Sequence, residues 1–447
     1  MPRVVATAAT RLLADPDPRV RGEAAIVVAQ MGDAANHGTI VTIAKDRDPA
    51  ARQRGLVALG LQATAGIGTV LDDQLADLSA RSEPESIAAA FALGLLPPDH
   101  SPTTTSRVLT SFLHGNLRRQ RDALLALLLG MGSHPQTAQA AALRQLLNDD
   151  SLRDPVVRAE ALKLLLPVDR TFDEQKARRM LERGSREERI ALLAWLGDDS
   201  GPLAAALVGL LQHLAEQGEH ADERARALAV LSRLHHLPAL EIAARALRST
   251  NPDECRQAMR AVLTIGGAPM RGALDQRVVD ETDADRKAAM LESFDAPPSA
   301  SLLAQAARLA GDTRQPELLR VAATRMLARS EPERARPLLR DLFRTVRRED
   351  ALPGLATDML RGDDAPPLAR LFEGTPDARL EPARWCALLG AEHPVAIRDL
   401  LQRLSDPAGD AAGRGAALAA WRRARVLHVP RPVGGQAPAV LVALLGS

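Results

Sequence analysis

The chain has 447 residues, of which 46% are hydrophobic and 25% are charged, a composition that supports a buried core and excludes an intrinsically disordered polymer. Its 57 basic and 56 acidic residues leave a net charge of +1, which indicates neither a nucleic-acid nor a membrane partner. With 2% aromatic residues and no tyrosine, it cannot perform tyrosine-dependent chemistry, and its Ala, Leu and Arg content favours helices over strands.

Cysteine content and apolar runs bear on the compartment. Cys255 and Cys386 are the two cysteines and lie far apart, so they cannot build a disulfide framework or a four-thiolate metal site. The N-terminal residues lack the pattern of a signal peptide, and the longest apolar run, Ala123 to Met131, is too short to span a bilayer. We therefore expect a soluble, cytoplasmic protein without a membrane span.

In chain order, a predicted first helix (Arg3 to Ala14) leads into an Asp-Pro-Arg-Val-Arg-Gly-Glu-Ala segment at 17–24, which recurs as Asp-Pro-Val-Val-Arg-Ala-Glu-Ala at 154–161. We call the second arginine of the first copy and its equivalents the marker arginines. They are Arg21, Arg52, Arg119, Arg158, Arg186, Arg224, Arg256, Arg286, Arg320, Arg379 and Arg414. With missing markers near Ser86 and Pro353, the period is about 33 residues and about thirteen units fit.

Each unit is predicted to contain two antiparallel helices. The first ends at an acidic turn, where an Asp caps the second helix and a Pro occupies its first turn. The second helix carries the marker arginine, a small residue three positions later and an aliphatic residue seven positions later, with Asp122, Arg189, Pro382 and Ser293 as departures. It usually ends near a glycine, which tolerates a left-handed exit. These glycines are Gly32, Gly60, Gly94, Gly130, Gly197, Gly266 and Gly390.

The array is expected to cover residues 1–428, with a break in the proline-rich stretch 97–106. Residues 429–447 are expected to form a Pro/Gly-rich loop and a short apolar helix. Terminal repeats of a solenoid normally expose a polar face, whereas the first and last helices here are largely apolar. Either the chain is a piece of a longer array, or its ends pack on something.

The Asp-Pro-x-Val-Arg-x-x-Ala pattern with its Ala/Leu-rich second helix resembles HEAT repeats, including the short variety first associated with phycobilisome lyases. The resemblance covers nearly the whole chain. It implies an all-α fold, an α-solenoid of about thirteen antiparallel helix pairs whose second helices line a concave face. It also implies that the marker arginines form ladders between repeats with carboxylates of the turns.

We expect no catalytic residues, no metal and no cofactor, and a small-molecule substrate is not expected either. The four lysines do not fit a phosphate-binding loop, and the histidines are not followed by Glu as in HEAT-like metal hydroxylases. A Gly-x-Ser-x-Gly motif is absent from the sequence. The histidines at 213, 220, 235 and 236 do not converge on one metal if helices cover 203–217 and 223–236, because neighbouring helical residues point about 100° apart.

The residues expected at the surface indicate a protein partner of unknown identity. The position two after the marker is expected to point outward, and its mixed signs argue against the basic stripe that nucleic acid requires. The candidate partner-binding residues are Arg118, Arg119, Arg121 and Trp195. Nine positions after Arg186, Trp195 is either an exposed anchor or a half-buried packing residue.

The function predicted is a non-catalytic protein-binding scaffold or adaptor. Two alternatives stay open. One is a nucleic-acid-binding protein similar to the HEAT-like glycosylases, which requires a concave arginine cluster. The other is a lyase similar to the phycobilisome lyases, which requires a deep pocket.

Overall fold

The computed structural model describes residues 2–32, 34–63, 82–97, 102–114, 121–134, 136–149, 152–169, 171–198, 201–294, 297–359, 381–391, 393–406, 410–425, 432–433 and 436–445. Over these ranges the regular secondary structure is helical and contains no strand, so the all-α class is confirmed.

The chain divides into two compact units. Unit 1 comprises Met1–Phe172, Gly184–Ala191 and Ile397–Ser447, and unit 2 comprises Asp173–Arg183 and Leu192–Ala396. Residues on both sides of the predicted boundary at 428 thus belong to unit 1.

The first helices along the chain are α1 (Pro2–Leu12), α2 (Pro18–Gln30), α3 (His37–Ile43), α4 (Pro49–Gln62), α5 (Glu83–Leu95), α6 (Pro102–His114), α7 (Arg121–Met131), α8 (Ala140–Asn148), α9 (Pro155–Leu165), α10 (Glu174–Arg183) and α11 (Arg186–Asp198). They are followed by α12 (Pro202–Ala206), α13 (Val208–Gln217), α14 (Ala221–Arg233), α15 (Ala239–Ala246), α16 (Pro252–Asp280), α17 (Ala284–Ser293), α18 (Ala300–Gly311) and α19 (Glu317–Ser330). The last are α20 (Pro332–Thr345), α21 (Leu352–Met359), α22 (Glu381–Gly390), α23 (Pro394–Ser405), α24 (Ala411–Arg425) and α25 (Ala439–Leu445).

Asp-Pro sequences start several of these helices as predicted. The side chain of Asp17 accepts hydrogen bonds from the Arg19 and Val20 backbone N–H groups, and Asp48 and Asp154 cap α4 and α9 in the same way. Each cap accepts hydrogen bonds from N–H groups that have no partner within the helix. The Pro that follows has no N–H group, so it leaves no unsatisfied donor at the first helical position.

We use the name second helices for the helices that carry a described marker arginine and for α5, α7, α21 and α22, which occupy the equivalent places in the repeat. Within each unit successive second helices pack side by side, in the order α2, α4, α5, α7, α9 in unit 1 and α14, α16, α17, α19, α21, α22 in unit 2. α16 contains two helical segments joined at Gly267, whose φ is 59°.

Marker arginines connect successive second helices. The Nη2 atom of Arg21 lies 2.6 Å from Asp46 Oδ2, while Nη1 donates to the carbonyl oxygen of Asp15 at 2.9 Å. Arg52, Arg158 and Arg224 likewise donate to a backbone carbonyl oxygen at the end of their own first helix and bind a carboxylate of the next repeat. The pairs are Arg21–Asp46, Arg52–Glu85, Arg121–Asp154 and Arg158–Glu188 in unit 1, and Arg224–Glu254 and Arg256–Glu292 in unit 2.

Two arginines that the sequence pattern did not select as markers make marker-like contacts. Arg121 pairs with the following repeat, at 2.6 Å from Asp154, while the predicted marker Arg119 lies outside the described residues. Arg189, three residues after the predicted marker Arg186, donates to the end of the preceding first helix, at 2.8 Å from the Gly184 carbonyl oxygen.

Three glycines predicted to end helices instead allow close helix packing. Gly32 has a φ of 69°, but Gly60, Gly94 and Gly130 lie inside helices without positive φ. A Cβ at Gly60 would lie 2.5 Å from the Ala92 carbonyl oxygen, and one at Gly94 would lie 2.8 Å from the Met131 nitrogen. A missing Cβ at these positions lets the backbones of α4, α5 and α7 approach closely.

In unit 2, the buried carboxylate of Glu281 joins two helices. It accepts hydrogen bonds from Arg277 Nη2 at 2.6 Å, from Arg286 Nη2 at 3.2 Å and from the Asp283 backbone N–H at 2.9 Å. Burial by itself raises the pKa of Glu281, but the Asp283 N–H and the two arginines outweigh it and lower the pKa to about 2. The ionised carboxylate therefore links the end of α16 to the start of α17.

We predict that Gly94→Ala destabilises unit 1 by about 1 to 3 kcal/mol, because overpacking at the α5–α7 contact exceeds the gain in helix propensity. Urea unfolding followed by circular dichroism measures the change. Gly38→Ala is the matched control, since nothing lies within 4 Å of a Cβ at Gly38, and it should be neutral or slightly stabilising. Equal midpoints for Gly94→Ala and the wild type would contradict the close packing.

The Glu281 contribution to stability should depend on pH. Because its pKa falls from 4.5 when unfolded to about 2 when folded, the unfolded state binds the proton more readily. The stabilisation is complete above pH 4.5 and is lost as the pH falls towards 2. The difference in free energy of unfolding between wild type and Glu281→Gln should therefore shrink between pH 5 and pH 3. A constant difference across that range would refute this assignment.

Candidate functional site

In unit 2, the second helix α14 leaves one side open. Asp222, Arg226, Ala229 and Arg233 recur at helical spacing along it; Asp222 and Ala229 are partly exposed, and Arg226 and Arg233 are exposed. We call this row the open stripe of α14. It lies on the side of the helix that neighbouring helices do not cover.

Two second helices of unit 1 have no open stripe. Every residue from Glu85 to Leu96 in and after α5 is buried, and so is every residue from Ala123 to Met131 in α7. Both sequences are apolar on all sides, as expected of a helix that is surrounded by protein. The side that α14 leaves open is therefore covered in α5 and α7.

The chain's own C-terminal residues contact this face of unit 1. We call residues 432–445, of which the structure describes 432–433 and 436–445, the C-terminal segment. Its helix α25 packs against α5. Leu441 and Leu444 are 0% and 3% exposed, and their spacing of three places both on one side of α25.

A second anchor lies on α9. The backbone N–H of Val433 donates to Glu160 Oε1 at 2.8 Å, and Lys163 Nζ donates to Glu160 Oε2 at 3.2 Å. Pro432 is buried beside it, and Glu160 is 2% exposed. The Glu160 carboxylate thus accepts one main-chain hydrogen bond, and its negative charge is balanced by Lys163.

The two anchors are compatible with the length of the chain. α7 packs between α5 and α9, so the anchors are two helix spacings apart. Two spacings of about 8 to 10 Å match the roughly 20 Å that the six residue-to-residue steps from Val433 to Ala439 can span. The C-terminal segment therefore holds the face at points on either side of α7.

The position two after the marker points outward in only some of the repeats, whereas the sequence predicted that it does so throughout. Arg226 and Ala416 are exposed at this offset, but five other residues are buried, namely Glu23, Glu160, Ala258, Ala288 and Ala322. Glu23 is buried because it faces a neighbouring element, with Arg54 Nε 2.8 Å from Glu23 Oε1 on the adjacent second helix. The signs at this offset therefore test nucleic-acid binding only where the side chain is exposed.

Two helices near opposite ends of the chain pack against each other. α24 packs against α2, with Arg414 Nη2 3.0 Å from Asp15 Oδ2 and Arg422 Nε 2.8 Å from Glu23 Oε2. The last marker arginine, Arg414, thus pairs with a carboxylate of the first helix-pair repeat in the same way as Arg21 pairs with a carboxylate of the second repeat. Arg422 is 1% exposed, and its charge is balanced by Glu23, which also binds Arg54.

Of the four predicted partner-binding residues, the structure describes Arg121 and Trp195. Arg118 and Arg119 lie outside the described residues, as does part of the break predicted at 97–106. Arg121 binds Asp122 and Asp154 in the arginine ladder. Trp195 is half-buried and lies six residues after Arg189, an offset at which Val27, Leu127 and Val230 are fully buried. This matches the packing alternative, and its role in partner binding stays a prediction.

The histidines lie on separate elements. The helix predicted over 203–217 is interrupted at Leu207, and α14 ends at Arg233, so His235 and His236 follow it. His235 has a φ of 50°, and His236 Nε2 lies 3.4 Å from Gln212 Oε1. Among the residues that the structure describes, no three His, Cys, Asp or Glu side chains form a group able to hold a metal ion.

Cys255 is buried, and burial raises the pKa of its thiol to about 11, so the nucleophilic thiolate is scarce at neutral pH.

In the described part of the chain, no helix has both the length and the apolar character needed to cross a bilayer.

Sequence reasoning missed the covered face. The available signal was the absence of any polar stripe in 86–96 and 123–131, combined with an apolar last helix. Which helix the C-terminal segment contacts has no local signature, because Glu160 and Val433 are 273 residues apart.

No protein-family model matches the chain, and no curated protein matches it. A solved structure that matches is the crystal structure of an engineered protein from a structural genomics consortium, at 14% identity and a TM-score of 0.26. The match covers 94% of this chain and 98% of that one. Similarity this low carries no conclusion about function.

Removal of Glu23 should be costly, because it leaves Arg422 buried without its carboxylate. We predict that Glu23→Ala lowers the free energy of unfolding by about 3 to 5 kcal/mol. The control Asp399→Ala breaks a more exposed pair with Arg403 within α23 and should cost about 0.5 kcal/mol or less. Urea denaturation distinguishes them, and similar midpoints would show that the Glu23 pairs do not hold α24 against α2.

Proposed function

We propose that the protein is a non-catalytic, cytoplasmic scaffold or adaptor, an α-solenoid of about thirteen HEAT-like helix pairs that binds another protein through its second helices. The observation that supports this most is the C-terminal segment on unit 1. There the second-helix face already holds a polypeptide by a main-chain hydrogen bond to Glu160 and by two buried leucines.

These contacts are ones that any protein partner can offer. A backbone N–H and aliphatic side chains are common to all polypeptides, whereas nucleic acid presents phosphates and stacking bases. The face of α5 and α7 consists mainly of Ala and Leu, which present a smooth apolar surface to a neighbouring helix.

The second helices of unit 2 add a charge preference. Their exposed positions include Arg226 and Arg233 of α14, Arg260 of α16 and Arg329 of α19. An acidic protein surface complements the positive charge of these arginines. With 2% aromatic residues in the chain, base stacking has little to use, which favours protein over single-stranded nucleic acid.

The test is photo-crosslinking in cells that express the full chain, with a photoreactive amino acid in place of Arg226. The control carries the same group in place of Arg245, which is exposed on α15, a first helix. We expect a protein adduct that survives nuclease, forms in near-stoichiometric yield from position 226, and is at least about tenfold weaker from 245.

Equal labelling from both positions would contradict a partner surface on the second helices. A nuclease-sensitive adduct specific to position 226 would replace the protein partner with nucleic acid.

A further inference from the structure

We propose that the second-helix face of α5, α7 and α9 is a peptide-binding groove that the C-terminal segment occupies reversibly. The groove takes a partner segment of the same chemistry, namely a proline-containing non-helical stretch followed by a short apolar helix with leucines three residues apart. This inference rests on the proposed function, because it names the kind of partner that the face accepts.

The groove recognises two features of the C-terminal segment, a main-chain N–H group and a helix with one apolar side. Glu160 accepts the N–H of Val433, the residue after Pro432, which has no N–H of its own. Burial of Leu441 and Leu444 specifies a helix with a continuous apolar side. A partner that offers only one of these features would lose one of the two anchors.

The C-terminal segment is held less firmly than the helix before it. α25 has seven residues, too few to form a stable helix in isolation, so it depends on contact with α5. Its other anchor is the single hydrogen bond to Glu160. By contrast, α24 has fifteen residues and is held on α2 by the buried pair of Arg422 and Glu23. Opening of the segment without opening of α24 is therefore the lower-energy event.

Tethering makes the segment an effective competitor. A covalently attached ligand on a short linker has an effective concentration in the millimolar range. A partner in solution must bind tightly enough to compete with the segment at this effective concentration, so weak ligands do not displace the docked segment from the groove. Release of the segment would open α5 and α7 along the side that is exposed in α14.

The experiment uses the full chain and a fluorescent peptide with the sequence of residues 429–447, followed by fluorescence anisotropy. Leu441→Asp/Leu444→Asp places two charges on the buried side of α25 and should free the groove. We expect the labelled peptide to bind this variant with a dissociation constant at least about tenfold lower than for the wild type. Addition of Glu160→Ala to the variant should weaken peptide binding at least about tenfold, because the hydrogen bond to the carboxylate is lost.

Ala443→Asp is the matched control, since Ala443 is exposed on the same helix. It should leave the groove closed, as in the wild type. A peptide that carries both aspartates should bind none of the proteins. Equal affinity of the labelled peptide for wild type, control and double variant would overturn the proposal.

Hydrogen exchange in the wild type provides a test that requires no variant to fold. Amides of residues 436–445 should exchange at least about tenfold faster than those of 411–425 if the segment opens independently. Equal protection would show that α25 belongs to the permanent core and would overturn the proposal. Failure of crosslinking from position 226 alongside successful peptide binding would reject the partner surface of unit 2 and leave this groove standing.

Discussion

Pairing between the marker arginine of one second helix and a carboxylate of the next is the interaction on which the rest of the structure depends. Its importance lies in geometry more than in energy, because a partly exposed ion pair stabilises by about 1 kcal/mol or less. A guanidinium has donors on several sides, so Arg21 can bind the Asp15 carbonyl oxygen and the Asp46 carboxylate together. One side chain thereby fixes a first helix, its own second helix and the neighbouring unit. Small residues at Gly60, Gly94 and Gly130 then allow the second helices to approach closely.

The same pairing is used where the chain returns on itself. Arg414 binds Asp15 as Arg21 binds Asp46, so the last second helix takes the place next to the first. Glu23 reinforces this contact by binding Arg54 on one side and Arg422 on the other. α24 packs against α2 and α25 packs against α5, so neither helix has the fully exposed outer side that a terminal helix of a solenoid normally presents.

Beyond α24 the chain continues over a face that the repeats create. Glu23 and Glu160 occupy the same offset from their markers, but Glu23 binds arginines of two helices whereas Glu160 binds the main chain of Val433. One position of the repeat thus either joins helices or holds a peptide, depending on what lies beside it. This dual use connects the fold to the proposed scaffold function, since a surface that holds the chain's own segment can hold a similar one.

By itself the sequence determined the helical class, the phase of most units and the Asp-Pro starts of the helices, because these depend on interactions within a few residues. It also placed the apolar last helix. Only the tertiary structure showed that Arg121 and Arg189 make marker-like contacts, that Gly94 allows close helix packing, and that Glu23 and Glu160 are buried. These depend on neighbouring helices, and the contact between Arg422 and Glu23 joins residues 399 positions apart. Local patterns carry no information about such a contact, because the path of the whole intervening chain decides which surfaces meet.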